Sequence, residues 1–217
     1  MDERMKQFVE NGDINAFYQL IIEDVKLLEH IDELPFADTP LHIAASTGQI
    51  TFAVEMMGLK PLFAHKLNQN GFSPIHLTLQ NGHIELVRQL LQIDGDLVHV
   101  KGREHLTPLH YIVESGKHLD LLEELLLICP DSIVDVTGRN KTALHIALKY
   151  NRLDVFNFLV TLESKDETSL IYITQAMRHL LAWGYKFVNV NHKNLEDETT
   201  WDMLRRAKAK SGYAMLC

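Results

Sequence analysis

Four copies of one short motif recur along the chain at nearly constant spacing. TPLHIAASTGQI begins at Thr39, SPIHLTLQNGHI at Ser73, TPLHYIVESGKH at Thr107 and TALHIALKYNRL at Thr142, so successive starts lie 34, 34 and 35 residues apart. Each copy runs into a second amphipathic stretch: TFAVEMMGL, ELVRQLLQI, DLLEELLLI and DVFNFLVTL. A unit of this size cannot bury its apolar face alone and must stack on its neighbours. The period therefore predicts helix, short turn, second helix and loop, repeated along a stack.

The recurring histidine is the first candidate for chemistry. His42, His76, His110 and His145 each fall in the first turn of the first helix, three residues after Thr39, Ser73, Thr107 and Thr142. A hydroxyl at that position caps the helix and can bond the imidazole, and Pro at the first helical position sacrifices only an N–H that would have no intrahelical partner. A catalytic group has no reason to recur once per stacked unit, so these eight residues are expected to be structural, pairing buried polar groups. Zinc needs three or four ligands converging within about 2.0–2.3 Å, whereas histidines of neighbouring layers lie about 10 Å apart. No glycine-rich phosphate loop, nucleophile elbow or paired-carboxylate motif stands out, and NQNG at 68–71 is a turn signal that suits a loop finger. No catalytic residue, metal site or cofactor is expected, and an enzyme is not predicted.

The T-P-L-H-x-A signature with its period resembles the ankyrin repeat. The resemblance implies an all-α ankyrin-repeat solenoid of stacked helix–turn–helix units with short loop fingers. On that reading the chain is one domain over 1–217: a capping repeat at 1–37, repeats at 38–71, 72–105, 106–140 and 141–165, an inserted helix within 166–187, and a carboxy-terminal capping segment at 188–217. MKQFVENGDINAFYQLI, residues 5–21, has repeat spacing without the Thr-Pro start, as an amino-terminal cap would. VNVNHKNLEDETTWDMLRRAKAK, residues 188–210, reads as a last loop and polar helix, with Thr200, Trp201 and Leu204 in the closing repeat. Thr142 and Thr200 are 58 residues apart, more than one period. The excess contains Leu170, Ile171, Ile173, Met177, Leu180 and Leu181 at helical spacing with Gly184 beyond, which predicts an extra helix over 168–183.

The linkers also depart from the common short turn. EDVKLLEHID, GLKPLFAHKL, QIDGDLVHVKG and CPDSIVDVTG place an apolar pair after each second helix: Leu27-Leu28, Leu62-Phe63, Leu97-Val98 and Ile133-Val134. This phrasing, with DELPFADTPLHIAASTG at 32–48 and GREHLTPLH at 102–110, is similar to the plant membrane-linked ankyrin proteins of the bian da and accelerated-cell-death groups. That resemblance implies protein binding in plant innate immune signalling alongside membrane receptor proteins. The alternative it carries is a cytosolic regulatory or self-association domain of a multi-pass membrane protein.

Composition narrows the partners. The chain has 217 residues, 46% hydrophobic and 23% charged, with a formal net charge of -8. It is long enough to bury a substantial core and too acidic for broad nucleic-acid binding, which Lys and Arg drive. Cys129 and Cys217 lie far apart, so no disulfide framework is expected and a reducing, cytoplasmic setting fits. Cys129 is expected to pack against the next repeat. No run reaches the roughly 18–20 apolar residues of a membrane span, and the acidic start does not read as a signal peptide. Location at the plasma membrane is expected only if the full-length protein carries transmembrane helices. The basic end RRAKAK, residues 205–210, complements a helix dipole or meets an acidic partner or anionic membrane.

Binding is expected where the period leaves side chains unemployed, on loop tips and inner helices of a concave face. Aligned on each signature Thr or Ser, those positions hold Phe36, Asp38 and Ser46; Asn70, Phe72 and Gln80; Arg103, His105 and Glu114; and Arg139, Lys141, Lys149 and Tyr150. The series runs from mixed and apolar toward basic. It predicts a protein or peptide partner with acidic residues docking at Arg139, Lys141 and Lys149, with Phe72 or Tyr150 as apolar anchor.

Overall fold

The structure, a computed structural model, describes residues 3–160 together with 193, 194, 196–199, 202 and 206. The inserted segment 168–183, Thr200, Trp201, Leu204, all of the basic end 205–210 except Arg206, and Cys217 lie outside the described residues. The chain divides into two compact units, Met1–Arg103 and Glu104–Cys217. Among the described residues every regular element is a helix.

In the first unit the helices are α1 (Glu3–Glu10), α2 (Ile14–Glu23), α3 (Leu27–Glu33), α4 (Pro40–Thr47), α5 (Ile50–Leu59), α6 (Pro74–Asn81) and α7 (Ile84–Ile93). The second unit holds α8 (Pro108–Ser115), α9 (Asp120–Ile128), α10 (Ala143–Lys149) and α11 (Leu153–Val160). First helices pack on first helices, α1 on α4 and α4 on α6 in one unit and α8 on α10 in the other, while α5 packs on α7 among the second helices. Helices of 7 to 10 residues do not persist alone in water, so packing of their apolar faces sustains them. Phe17 and Phe52, 1% exposed, meet edge to face across α2 and α5 with centroids 4.9 Å apart.

Local chemistry sets each start and stop. Thr39 caps α4 in an extended conformation, its side chain accepting from the His42 amide, and Pro40 opens the helix. Gly48 ends it at φ 76°, and a Cβ there would lie 2.6 Å from His83 Nδ1, so both backbone and space call for glycine. Gly82 and Gly116 repeat that role at φ 78° and 66°. In the fourth copy Ala143 stands where Pro opens the others, and Asn151 takes the left-handed position at φ 55°.

The apolar linkers turn out to be folded. The first forms α3, burying Leu28 and Ile31; the next three form 3-10 turns at Pro61–Ala64, Gly95–His99 and Pro130–Val134, burying Phe63, then Leu97 and Val98, then Ile133. Cys129 caps α9 just before the last of these, half-buried, with burial pushing its thiol pKa up and away from reactivity.

Three fingers share one hydrogen-bond pattern. Residue 68 donates its amide to the carbonyl of 72 and accepts at its carbonyl from 71, residue 137 does the same with 141 and 140, and residue 194 with 198 and 197. Within each, the side chain of Asn68, Thr137 or Asn194 accepts two further backbone amides, including Phe72, Lys141 and Glu198. The last finger relocates the closing repeat. Thr199 carries a hydroxyl at the capping position: Thr199 Oγ1 donates to Asp202 Oδ2 at 2.7 Å, and the Asp202 amide donates back at 3.1 Å. Asp202 thus stands where the other copies carry His, and the closing copy starts one residue earlier than the sequence spacing predicts.

Candidate functional site

The recurring histidines come first, because their geometry decides whether they are available for chemistry. Thr39, Ser73, Thr107 and Thr142 place a hydroxyl 2.8, 2.7, 2.8 and 2.8 Å from Nδ1 of His42, His76, His110 and His145. His42 also donates from Nε2 to the Phe72 carbonyl at 3.1 Å, tying one repeat to the finger of the next. A carbonyl can only accept, so Nε2 carries the proton and Nδ1 accepts. All four imidazoles are at most 1% exposed. Burial lowers the His42 pKa to about 4, against the smaller opposing pull of the Phe72 carbonyl and Asp38, so the ring is neutral at pH 7. These groups are spent on structure. Among the described residues no three His, Cys, Asp or Glu side chains gather as a metal site.

A second set of cross-repeat bonds had no signal in the sequence. Gln49 Nε2 donates to the Glu10 carbonyl at 2.7 Å, His83 Nε2 to the Ser46 carbonyl at 3.0 Å, and an Arg152 guanidinium N–H to the Ser115 carbonyl at 2.9 Å. Each donor follows the residue that ends a first helix, and each satisfies a carbonyl near the end of the previous first helix, one of the groups a helix leaves unpaired. Gln, His and Arg share no sequence pattern, only a donor long enough to reach.

The residues expected to bind separate into employed and available groups. In the first unit, Asp38 accepts from Asn68 Nδ2 at 2.9 Å, and Ser46 donates its hydroxyl to the Ile43 carbonyl at 2.9 Å. Ser46 therefore does not offer the unemployed side chain expected of it: its hydroxyl serves its own helix and its carbonyl takes His83. Phe72 is half-buried and lends its carbonyl to His42, whereas Phe36, Asn70, Gln80 and Arg103 are exposed. His105 is exposed in the second unit at φ 58°.

Five of the expected residues converge on one shallow, open cleft of about 40 Å³ in the second unit: Glu114, Arg139, Lys141, Lys149 and Tyr150. Glu104 from the preceding finger lines it as well, with Leu106 and Ile146 supplying apolar wall. Tyr150 donates its hydroxyl to Glu114 Oε1, while Lys149 Nζ donates to the same hydroxyl at 3.2 Å and lies 4.6 Å from the Tyr150 ring centroid. The guanidinium of Arg139 makes no hydrogen bond among the described residues, and the residue is exposed.

Lys141 does not behave as expected. The residue is 6% exposed, and its ammonium donates to Glu196 of the closing finger at 3.0 Å. A buried cation requires such a partner, and the bond to Lys141, helped by the charges of Arg139 and Lys149, holds the Glu196 carboxyl below its ordinary range. Glu104, Glu114 and Glu196 offset the three cations, so the surface does not simply turn basic. What remains for a partner is Arg139 and Lys149 beside a Tyr ring, with carboxylates opposite.

Paired short helices stacked in layers, fingers between them and buried Thr–His ties define a helical-repeat solenoid, a class of protein that offers an extended surface for binding. A family profile described as ankyrin repeats, three copies, matches residues 5–101 and again 95–170. The chain belongs to the ankyrin-repeat family, whose repeats are modules for binding other proteins. Ankyrin repeat-containing protein BDA1 of Arabidopsis thaliana is 42% identical over 73 residues, which is 34% of this chain and 17% of that protein. A chain in the solved structure of the Bd0816 predatory endopeptidase from Bdellovibrio bacteriovorus in complex with immunity protein Bd3460 matches with a TM-score of 0.64. The match covers 96% of this chain and 94% of that one at 17% identity, a likeness of fold alone. Among the described residues no helix is long and apolar enough to cross a membrane.

Proposed function

We propose that this chain is a protein-binding module of plant innate immune signalling that works with membrane receptor proteins, and that the cleft of its second unit holds the partner. The observation that carries the binding site is the guanidinium of Arg139, exposed and without a hydrogen bond among the described residues, beside the Lys149–Tyr150 pair. Arg and Tyr anchors dominate interface energetics because a planar guanidinium can grip a carboxylate through two bonds while an aromatic ring buries area with little loss of freedom. The partner is a peptide segment with an acidic residue for Arg139 and Lys149 and an apolar residue against Tyr150. Lys141 is excluded from that role because Glu196 already occupies it. The signalling context is supported by the 42% identity to BDA1 over 73 residues.

Proximity labelling in leaf cells, comparing the chain with its R139E/K149E variant, tests this reading. Receptor and membrane signalling proteins should be labelled by the first and lost with the second. Equal labelling by both removes the cleft, and the absence of such proteins from both removes the signalling role.

A further inference from the structure

The wall of the cleft carries a charge that an acidic partner residue does not use. Lys141 is tied to Glu196 at 3.0 Å, and Lys149 and Glu114 meet at the Tyr150 hydroxyl. Two charged groups remain. Glu104 and Arg139 stand at the tips of neighbouring fingers, each three residues before a capping threonine, and both are exposed. Neither the Glu104 carboxylate nor the Arg139 guanidinium makes a hydrogen bond or an ion pair among the described residues. They line one cleft with opposite charge and do not pair with each other.

The backbone at Glu104 is unlike that of the other fingers. Glu104 lies at φ 57° and ψ 20°, and His105 follows at φ 58°, two left-handed residues in succession whose side chains disfavour that conformation. Three other fingers place a single left-handed residue two before the capping hydroxyl, and they use Gly71, Asn140 and Asp197, the types that tolerate it. The Gly138 amide fixes the strained turn by donating to the Glu104 carbonyl at 2.8 Å, and a Cβ at Gly138 would stand 3.3 Å from that oxygen. Strain at non-glycine residues, held in place by neighbouring bonds, gathers at functional sites. Here the strained turn carries a free carboxylate on the cleft wall.

We infer that Glu104 determines specificity in this cleft, and that the partner segment carries a Lys or Arg for Glu104 as well as the acid for Arg139. This role rests on the cleft being the binding site and adds the mixed charge of the partner. A purely acidic segment would bring its second charge against Glu104 and Glu114, and like charges at short range disfavour it. Packed layers advance about 8–10 Å along the stack. A chain in polyproline II geometry advances about 9.3 Å in three residues and returns its side chains to the same side, so an acid and a base three residues apart reach both tips.

The probe is a random dodecapeptide library selected on the unaltered chain, on E104K and on R139E. The unaltered chain should enrich peptides with one acidic and one basic residue three apart, E104K should enrich peptides acidic at both places, and R139E peptides basic at both. In titration, the peptide enriched on the unaltered chain should bind E104K about fivefold more weakly, the worth of one exposed ion pair. The same peptide with its basic residue changed to Glu should bind E104K about fivefold more tightly than it binds the unaltered chain. Glu104→Gly, which relaxes the left-handed backbone, keeps the fold and should lose the preference for a basic residue. Enrichment of purely acidic peptides on the unaltered chain, lost on R139E, overturns this role and leaves the cleft standing. Selections that neither variant changes, or a library from which nothing is enriched, overturn the role and the cleft together.

Discussion

The signature residues and the finger residues lie only a few positions apart in each repeat, yet one set hardly varies and the other varies freely. Thr39, Ser73 and Thr107 are fully buried and their histidines at most 1% exposed, while Asn70, Glu104, Arg139 and Glu196, each three residues before a capping hydroxyl, stand in water with three different side-chain types. Inside, one hydrogen-bond solution fits every layer, so the same residues return. Outside, the backbone of the finger is held by its own bonds, and the tip residue is left to other uses, a tie to Lys141 for Glu196 and an open guanidinium for Arg139. Repetition therefore marks the scaffold, and the breaks in repetition mark the place to look for binding.

The sharpest way to break this contrast is to damage the inside. His42→Ala removes the ring that joins Thr39 to the Phe72 carbonyl, takes the imidazole acceptor from the buried Thr39 hydroxyl and leaves a void between two repeats, and should cost about 3 kcal/mol in urea unfolding. Acid should act through the same ring. The folded His42 pKa of about 4 lies below the ordinary value of about 6.5, so between those values the unfolded chain takes a proton that the folded chain refuses. The stability this contributes is complete above about pH 6.5, declines as the pH falls, and levels off below about 4; at pH 4.5 the loss from this group is about 3 kcal/mol. His42→Gln should flatten the profile by that amount, read from unfolding curves at pH 7 and 4.5.

A smaller effect is expected at the helix stop. Gly48→Ala forces a Cβ into the left-handed region and against His83, and should cost about 2 kcal/mol, seen as a lowered urea midpoint. At the outside of the contrast, Arg139→Glu with Lys149→Glu should cost only about 1 kcal/mol, from repulsion by Glu104, Glu114 and Glu196, since neither side chain is built into the interior. A large loss there would mean that the fingers are part of the scaffold after all.

Much of the fold is legible in the sequence because its causes are local: hydroxyl, proline and histidine at fixed offsets specify a capped helix wherever they occur. The folded linkers are half legible, since an apolar pair announces burial but not whether α3 or a 3-10 turn will achieve it. Lys141 is misplaced by the sequence because its partner Glu196 lies 55 residues away, and no local pattern shows that the ammonium is buried. The capping role of Thr199 is not legible for a simpler reason: two threonines are adjacent in the sequence, and spacing alone does not reveal the bond from Thr199 to Asp202. Ser46 looks unemployed in sequence because a hydroxyl bonding back to its own helix leaves no trace in spacing.

The central claim is that binding resides in the cleft and folding in the buried signature. Measuring partner capture and urea unfolding on the same R139E/K149E protein tests it most directly. The account predicts capture reduced at least tenfold with a single cooperative transition whose stability falls by only about 1 kcal/mol; undiminished capture by that folded variant would contradict it.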